Sequence, residues 1–342
     1  IEDDLSRRDF TINAMAYNDQ RGLVDLFGGR EDLAAGVLRA VGEPHRRFEE
    51  DALRILRGIR FASVLGFSLE PATEKAARQY AHLLKKVSAE RVAQELSKLL
   101  CGRDAGRILT TYPDILGQVI PELLPMVGFD QQNIHHCHDL LTHTAVAVDH
   151  APPVLHLRLA MLLHDVGKPN TFALGEDGQG HFYGHAKESA ATANRILLEL
   201  KAPTALREQV VTLIELHMNR LEPDRKLLRR RLSRLGPELL EKLLLLQEAD
   251  MGSQGTGKSS DISHFDEIRS LLEEIQAENA CLSLKDLAIN GGDLVALGFK
   301  PGKALGACLQ CLLEQVLDEQ LPNDRSALLA EAKNQLSQEV LL

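Results

Sequence analysis

The sequence predicts a mainly helical fold with a small α/β portion confined to its first 47 residues. Three observations carry this. Aromatic residues make up 4% and there is no Trp, while Leu, Ala, Arg and Glu dominate, a composition that favours helices over sheets. From residue 48 onward the apolar residues recur at three- and four-residue spacing. Short strand-like runs bounded by turn signals occur only before that point. A chain of 342 residues suits two or three domains and can bury a large core.

Residues 1–47 read as a short helix followed by the strands MAYN, LVDLF and VLRAVG, separated by the turns DQRG and GGRED. Residues 48–67, FEEDALRILRGIRFASVLGF, read as one helix. Leu53, Leu56, Ile59, Phe61 and Leu65 form its packed side. Asp51, Arg54, Arg57 and Arg60 form a second stripe, each three residues after the last. Helices follow over 71–84, opening at Pro71, and over 88–100, capped by Ser88. Pro121 and Pro125 mark a boundary.

The Asp–Arg stripe has a chemical reading. Asp accepts hydrogen bonds only, and Arg donates only, from a rigid planar fork. Side by side they match the amino donor and neighbouring acceptors of cytosine or adenine. Uracil and guanine present a carbonyl to the carboxylate and are rejected. The competing reading is a surface helix laced by i,i+3 ion pairs.

Between His135 and Asp250 the helices carry ligand-type residues. His143 lies in DLLTHTAVAVDH; His164 and Asp165 end HLRLAMLLHDVGK, with Gly167 as a C-cap and Pro169 as a stop. His185 opens HAKESAATANRILLEL, His217 closes REQVVTLIELHM, and Asp250 closes ELLEKLLLLQEAD. A lone His near a helix end is usually structural. Six nitrogen and oxygen ligands near helix ends, with an adjacent His-Asp pair, point instead to a site for Ni, Mn, Co, Fe, Zn or Mg. One ion would use His143, His164, Asp165 and Asp250; His185 and His217 would complete a second. His135, His136 and His138 precede the pattern and read as loop or surface residues.

Other stretches carry weaker signals. GSQGTGKS at 252–259 fits the P-loop expression but follows a helix-periodic segment rather than a strand, so it reads as a Gly/Ser linker. Cys308 and Cys311 lie in the amphipathic run ALGACLQCLLEQVL and read as buried core thiols. The basic run DRKLLRRRLSRLG at 224–236 is either a solvated helix face or a phosphate contact. Residues 262–342 read as a helical tail, with a helix opening at Pro301-Gly302-Lys303.

The segments DDLSRRDFTINAMAYN, LVDLFGGREDL and VLRAVGEPHRRFEEDALR, followed by SAERVAQELSKLL, together resemble the class II tRNA nucleotidyltransferases, the CCA-adding enzymes and the bacterial poly(A) polymerases. The order His, His-Asp, His, His, Asp resembles the HD phosphohydrolase superfamily. The resemblance implies a residual α/β nucleotidyltransferase head (1–47), a helical neck with the nucleotide-reading helix (48–125), an HD domain (126–260) and a helical tail with a possible tRNA contact (261–342). It implies addition of CCA to tRNA 3′ ends from CTP and ATP with Mg2+. It places triphosphate and ribose binding on Arg8, Arg57 and Arg60, base reading on Asp51 and Arg54, and ribose contacts on Asp9 and Asn13. It implies hydrolysis of 2′,3′-cyclic phosphates or 2′-nucleotides at the HD centre. The family also carries a Gly-rich loop and an Asp-x-Asp strand that holds the catalytic magnesium ions. No Asp-x-Asp occurs in these 342 residues, so the chain reads as a fragment lacking that N-terminal piece and the polymerase activity that goes with it.

The net charge of −10 does not favour nucleic acid, although phosphate contacts need only a local basic surface. Five Cys, an odd number without a regular framework, suit a reducing, cytoplasmic setting. No apolar run reaches the ~18 residues of a membrane span. Three rival readings stand beside CCA addition: a poly(A) polymerase, which does not use CTP; a stand-alone HD phosphohydrolase, which needs no CTP site; and a non-catalytic RNA-binding module.

Overall fold

The computed structural model describes residues 1–132, 138–176, 178–254, 263–278 and 281–339. His135, His136 and most of the GSQGTGKS stretch lie outside them. The protein is mainly helical with three two-stranded sheets among the described residues. None of those helices is long and apolar enough to cross a membrane. The chain packs as two units, residues 1–218 with 245–260, and residues 219–244 with 261–342. The segments expected as head and neck and most of the one expected as HD domain share the first unit, while residues 219–244, also expected in the HD domain, fall in the unit of residues 261–342.

The first unit begins with the short helix Glu2–Ser6 and the antiparallel pair Met15–Asn18 and Gly22–Asp25. The expected hairpin is therefore present, but the VLRAVG run supplies only the two-residue strand Val37–Leu38, which pairs in parallel with Ser68–Leu69. Residues 9–11 run beside 39–41. The Thr11 N–H donates to the Arg39 carbonyl at 2.9 Å, and the Val41 N–H to that of Asp9 at 3.1 Å. Phe10 is thereby driven into the neck. It is fully buried, edge-on to Phe61 at 6.0 Å, and a Cβ on Gly58 would meet its ring at 2.9 Å. The small residue at 58 permits this close approach.

The expected helix 48–67 is two helices, Pro44–Glu50 and Leu53–Leu65. Asp51 breaks the run, with extended backbone at φ −152 and ψ 100. Its own carboxylate supplies the reason, because Oδ1 accepts from the Leu53 N–H at 3.2 Å and competes with continued helix. Two further expectations differ. Ser88 precedes the helix Ala89–Leu100 without a side-chain cap, whereas Glu70 does cap the helix Pro71–Tyr80 through the Thr73 N–H. Pro169 does not stop the chain but falls in the first turn of a short helix, Lys168–Thr171, where its missing N–H costs nothing.

The helix Leu155–Leu163 is central among the helices between residues 140 and 216. Residues 157–163 are all buried, as expected of a helix apolar on nearly every side. Around it pack Leu140–His150, His185–Glu199 and Thr204–Leu216.

The second unit contains most of the helix Arg225–Gly252, broken at Gly236, which takes φ 75 just before Pro237. It also holds Ser263–Ala277, Gly291–Leu297, Lys303–Leu317 and Arg325–Glu339. Leu294, Phe299, Cys308, Leu312, Leu313 and Leu328 form the centre of its core. Cys308 is buried as expected, but Cys311 is exposed, because it sits three residues on at the edge of the apolar stripe. Lys303 opens its helix as read from the sequence. Three of the six basic residues of the run at 224–236 are paired within this unit. Arg225 pairs with Glu274, Glu278 and Glu319, Arg229 with Glu319, and Arg230 with Asp318.

Candidate nucleotide cleft and metal centre

A cleft of about 480 Å³ opens in the first unit between residues 7–13 and the start of the helix Leu53–Leu65. Arg8, Asp9, Asn13, Asp51, Arg54 and Arg57 line it, joined by Arg7, Leu53, Phe61 and Arg91. Five arginines face two aspartates, so the lining is cationic in a chain whose net charge is −10.

Each predicted residue is held by specific partners. The Arg54 guanidinium donates to Glu50 at 2.8 Å and to the carbonyls of Arg47 and Arg7 at 3.2 and 2.9 Å. Asp9 is buried; its Oδ1 accepts from the Phe10 N–H and Asn13, and its Oδ2 from Arg57 Nε at 2.7 Å. Arg8 pairs with Asp4 at 2.9 Å. Asp51 Oδ2 accepts from Arg91 Nη2 at 2.7 Å. Arg60 is not among the lining residues. It packs over the Phe61 ring at 3.7 Å and pairs with buried Glu95 at 2.6 Å.

All six His and Asp candidates of the second constellation converge. His143 comes from the helix Leu140–His150, whose start is capped by the Asp139 side chain. His164 and Asp165 follow Leu155–Leu163, His185 opens His185–Glu199, His217 follows Thr204–Leu216, and Asp250 lies near the end of Arg225–Gly252. Potential ligand atoms of His143, His164 and Asp165 lie within 4.8 Å of one another, and so do those of Asp165, His185 and His217. Asp250 Oδ1 is 3.2 Å from His143 Nε2 and 3.4 Å from His164 Nε2. The spacing of the ligand-type residues predicts Asp165 as a ligand of one ion. Here it belongs to both groups, with Oδ2 3.1 Å from His164 and Oδ1 3.4 Å from His185.

The outer nitrogens explain the aim of the rings. His164 Nδ1 contacts the Met161 carbonyl at 2.8 Å, His185 Nδ1 that of Phe182 at 2.8 Å, and His217 Nδ1 that of Ile214 at 2.6 Å. A carbonyl can only accept, so each Nδ1 carries the proton and each Nε2 turns its lone pair inward when neutral. His143 Nδ1 meets Ser253 Oγ at 2.9 Å. This donor set fits one or two divalent ions.

The electrostatics are strongly coupled. Burial works against a charged His164, but the Asp165 and Asp250 carboxylates outweigh it and raise its pKa to about 10. Burial, then the neighbouring His164, pushes His217 down to about 4. Burial also lowers His185, although Asp165 opposes it. Burial would raise Asp165, yet His164, Lys168 and His143 hold it well below the usual carboxylate range. Lys168, which sequence reading missed, places Nζ 2.8 Å from both Asp165 Oδ2 and Gln131 Oε1. Its signal is in the sequence, since it lies three residues after Asp165.

The chain is similar to known proteins along most of its length. Residues 1–39 match the Poly A polymerase head domain, 66–123 the probable RNA and SrmB-binding site of polymerase A, and 181–332 the putative domain 2 of tRNA nucleotidyltransferases. The A-adding tRNA nucleotidyltransferase of Deinococcus radiodurans is 38% identical over 328 residues, covering 92% of this chain and 75% of its own. The CC-adding tRNA nucleotidyltransferase of Thermus thermophilus is 34% identical over 332 residues, covering 92% and 73%. The crystal structure of the Bacillus stearothermophilus CCA-adding enzyme in complex with CTP superposes with a TM-score of 0.69 at 25% identity, over 99% of this chain and 75% of that one. With these matches running nearly end to end along it, the chain belongs to the class II CCA-adding tRNA nucleotidyltransferase family.

Proposed function

We propose that the first unit selects CTP and ATP for addition to tRNA 3′ ends, and that its His/Asp centre is a metal-dependent phosphohydrolase. The cleft carries the first reading. Asp51 offers acceptors to a base amino group, and Arg54 beside it offers donors to a ring nitrogen or carbonyl. Three contacts fix Arg54 in advance, which favours discrimination over mere attraction. Arg8 and Arg57 supply charge for the triphosphate, and Asp9 and Asn13 are positioned for the ribose. The relatives named A-adding and CC-adding use restricted nucleotide sets by name. Binding of both CTP and ATP separates the present reading from those and from poly(A) addition. Nucleotidyl transfer would use Mg2+, for which these residues contain no Asp-x-Asp pair.

The second reading rests on the two overlapping ligand groups. When bound there, divalent ions supply Lewis acidity and a hydroxide at neutral pH. The protein's own part is to fix the ligands, neutralise Asp165 through Lys168, and present that ammonium to a substrate phosphate. In hydrolysis of a 2′,3′-cyclic phosphate, a water oxygen bonds to phosphorus, one ribose ester bond breaks, and the released oxygen takes a proton. The test is metal content by mass spectrometry with an assay on 2′,3′-cyclic AMP in added Ni, Mn, Co or Mg. Stoichiometric metal and turnover that His164→Ala abolishes support the reading. Absence of both overturns it and leaves the nucleotide reading standing.

A further inference from the structure

We propose that Ser253 is a positioning residue for the His/Asp centre: its hydroxyl fixes the His143 proton on Nδ1 and so keeps Nε2 open as a ligand. The inference rests on the metal-dependent reading of that centre and adds a residue to it.

Ser253 stands in GSQGTGKS, a run whose composition reads as a linker. Its surroundings are those of a packed residue. It is 1% exposed, directly after the helix Arg225–Gly252, and its Oγ lies 2.6 Å from the Asp250 carbonyl oxygen and 2.9 Å from His143 Nδ1. A hydroxyl turned back to a nearby carbonyl is an ordinary local bond. That habit does not account for the contact with a ring 110 positions away.

The two contacts together place the protons. A hydroxyl carries one proton, and the Asp250 carbonyl can only accept, so the Ser253 proton goes there. Oγ then offers only lone pairs to His143, and Nδ1 is the donor. At His164, His185 and His217 a backbone carbonyl does the same work. At His143 a side chain does it, so a substitution can remove it.

The choice is contested at His143, because its inner nitrogen faces carboxylates. Nε2 is 3.2 Å from Asp250 Oδ1 and 3.6 Å from Asp165 Oδ2. Both draw a proton to Nε2, where it closes the ligand position. Ser253 opposes them from the other side of the ring. Without its hydroxyl, the neutral ring turns its proton toward Asp250, and the group of His143, His164, Asp165 and Asp250 loses a ligand. The group of Asp165, His185 and His217 keeps all three of its own. Loss of the outer partner of a ligating His lowers metal affinity by about 10- to 100-fold.

The test is equilibrium dialysis of Mn against the chain, Ser253→Ala, and Ser253→Thr, which keeps the hydroxyl. Ser253→Ala should weaken one site about 10- to 100-fold and leave a second site unchanged, while Ser253→Thr should bind as the unchanged chain does. Unchanged Mn binding in Ser253→Ala overturns the inference while the metal reading stands. Equal weakening of two distinct sites, or a Ser253→Thr chain as weak as Ser253→Ala, also overturns it. If the unchanged chain takes up no metal, the phosphohydrolase reading falls, and long-range proton–nitrogen NMR spectra of the metal-free chain decide the role of Ser253. A His143 proton that sits on Nδ1 and moves to Nε2 in Ser253→Ala sustains it, and the same ring state in both chains overturns it.

Discussion

Asp51 Oδ2 accepts a hydrogen bond from Arg91 Nη2 at 2.7 Å, so the carboxylate proposed to read the base already has a cationic partner. The pair is half exposed, at 50% for Arg91 and 31% for Asp51. An ion pair in that setting contributes at most ~1 kcal/mol, weak enough for a base amino group to displace it.

A contrast in stability follows. Arg57 holds Asp9, which is only 7% exposed. Arg57→Ala leaves that carboxylate buried with less compensation and should cost about 2–4 kcal/mol. Arg91→Ala should cost less than ~1 kcal/mol. Urea unfolding of the two variants checks the order; equal losses would show that the Asp9 pair is not the structural one.

Much of this cleft was legible in the chain. RRDFTINA and EDALR brought Arg8, Asp9, Asn13, Asp51, Arg54 and Arg57 forward by motif and three-residue spacing. Arg91 lies in SAERVAQELSKLL, and no spacing pattern joins it to Asp51 across 40 residues. The break at Asp51 was hidden for another reason. EEDALR contains no Gly or Pro, and a side chain capping its own backbone leaves the apolar period intact. The His/Asp set was readable because its members sit near helix ends. The sharing of Asp165 was not, since it depends on which way each of its oxygens faces.

Metal uptake should release a proton. With its pKa raised to about 10, His164 is protonated at neutral pH and must lose that proton to become a ligand. His185 and His217 are shifted down and add nothing above pH 6.5. Apparent metal affinity should therefore rise about tenfold per pH unit between about 7 and 9. Titration with Mn in a weakly buffered indicator solution should show about one proton released for the ion that takes His164. Uptake without proton release at pH 7.5 would contradict the protonated His164.

These 342 residues alone should not extend RNA, because they supply no Asp-x-Asp carboxylates to place the magnesium ions of in-line transfer. Incubation with CTP, ATP, Mg2+ and a tRNA lacking its CCA end should leave the RNA unchanged. Clear addition of nucleotides would show that other carboxylates of this chain do that work.

The most direct measurement is equilibrium binding of CTP, ATP, UTP and GTP to the chain and to its Asp51→Ala and Arg8→Ala variants. The unchanged chain should favour CTP and ATP over UTP and GTP by ~1–3 kcal/mol, the worth of a good bidentate base contact. Asp51→Ala should flatten that preference while keeping most of the affinity, and Arg8→Ala should weaken all four nucleotides alike. A preference for CTP and ATP that survives Asp51→Ala would contradict base reading by this cleft.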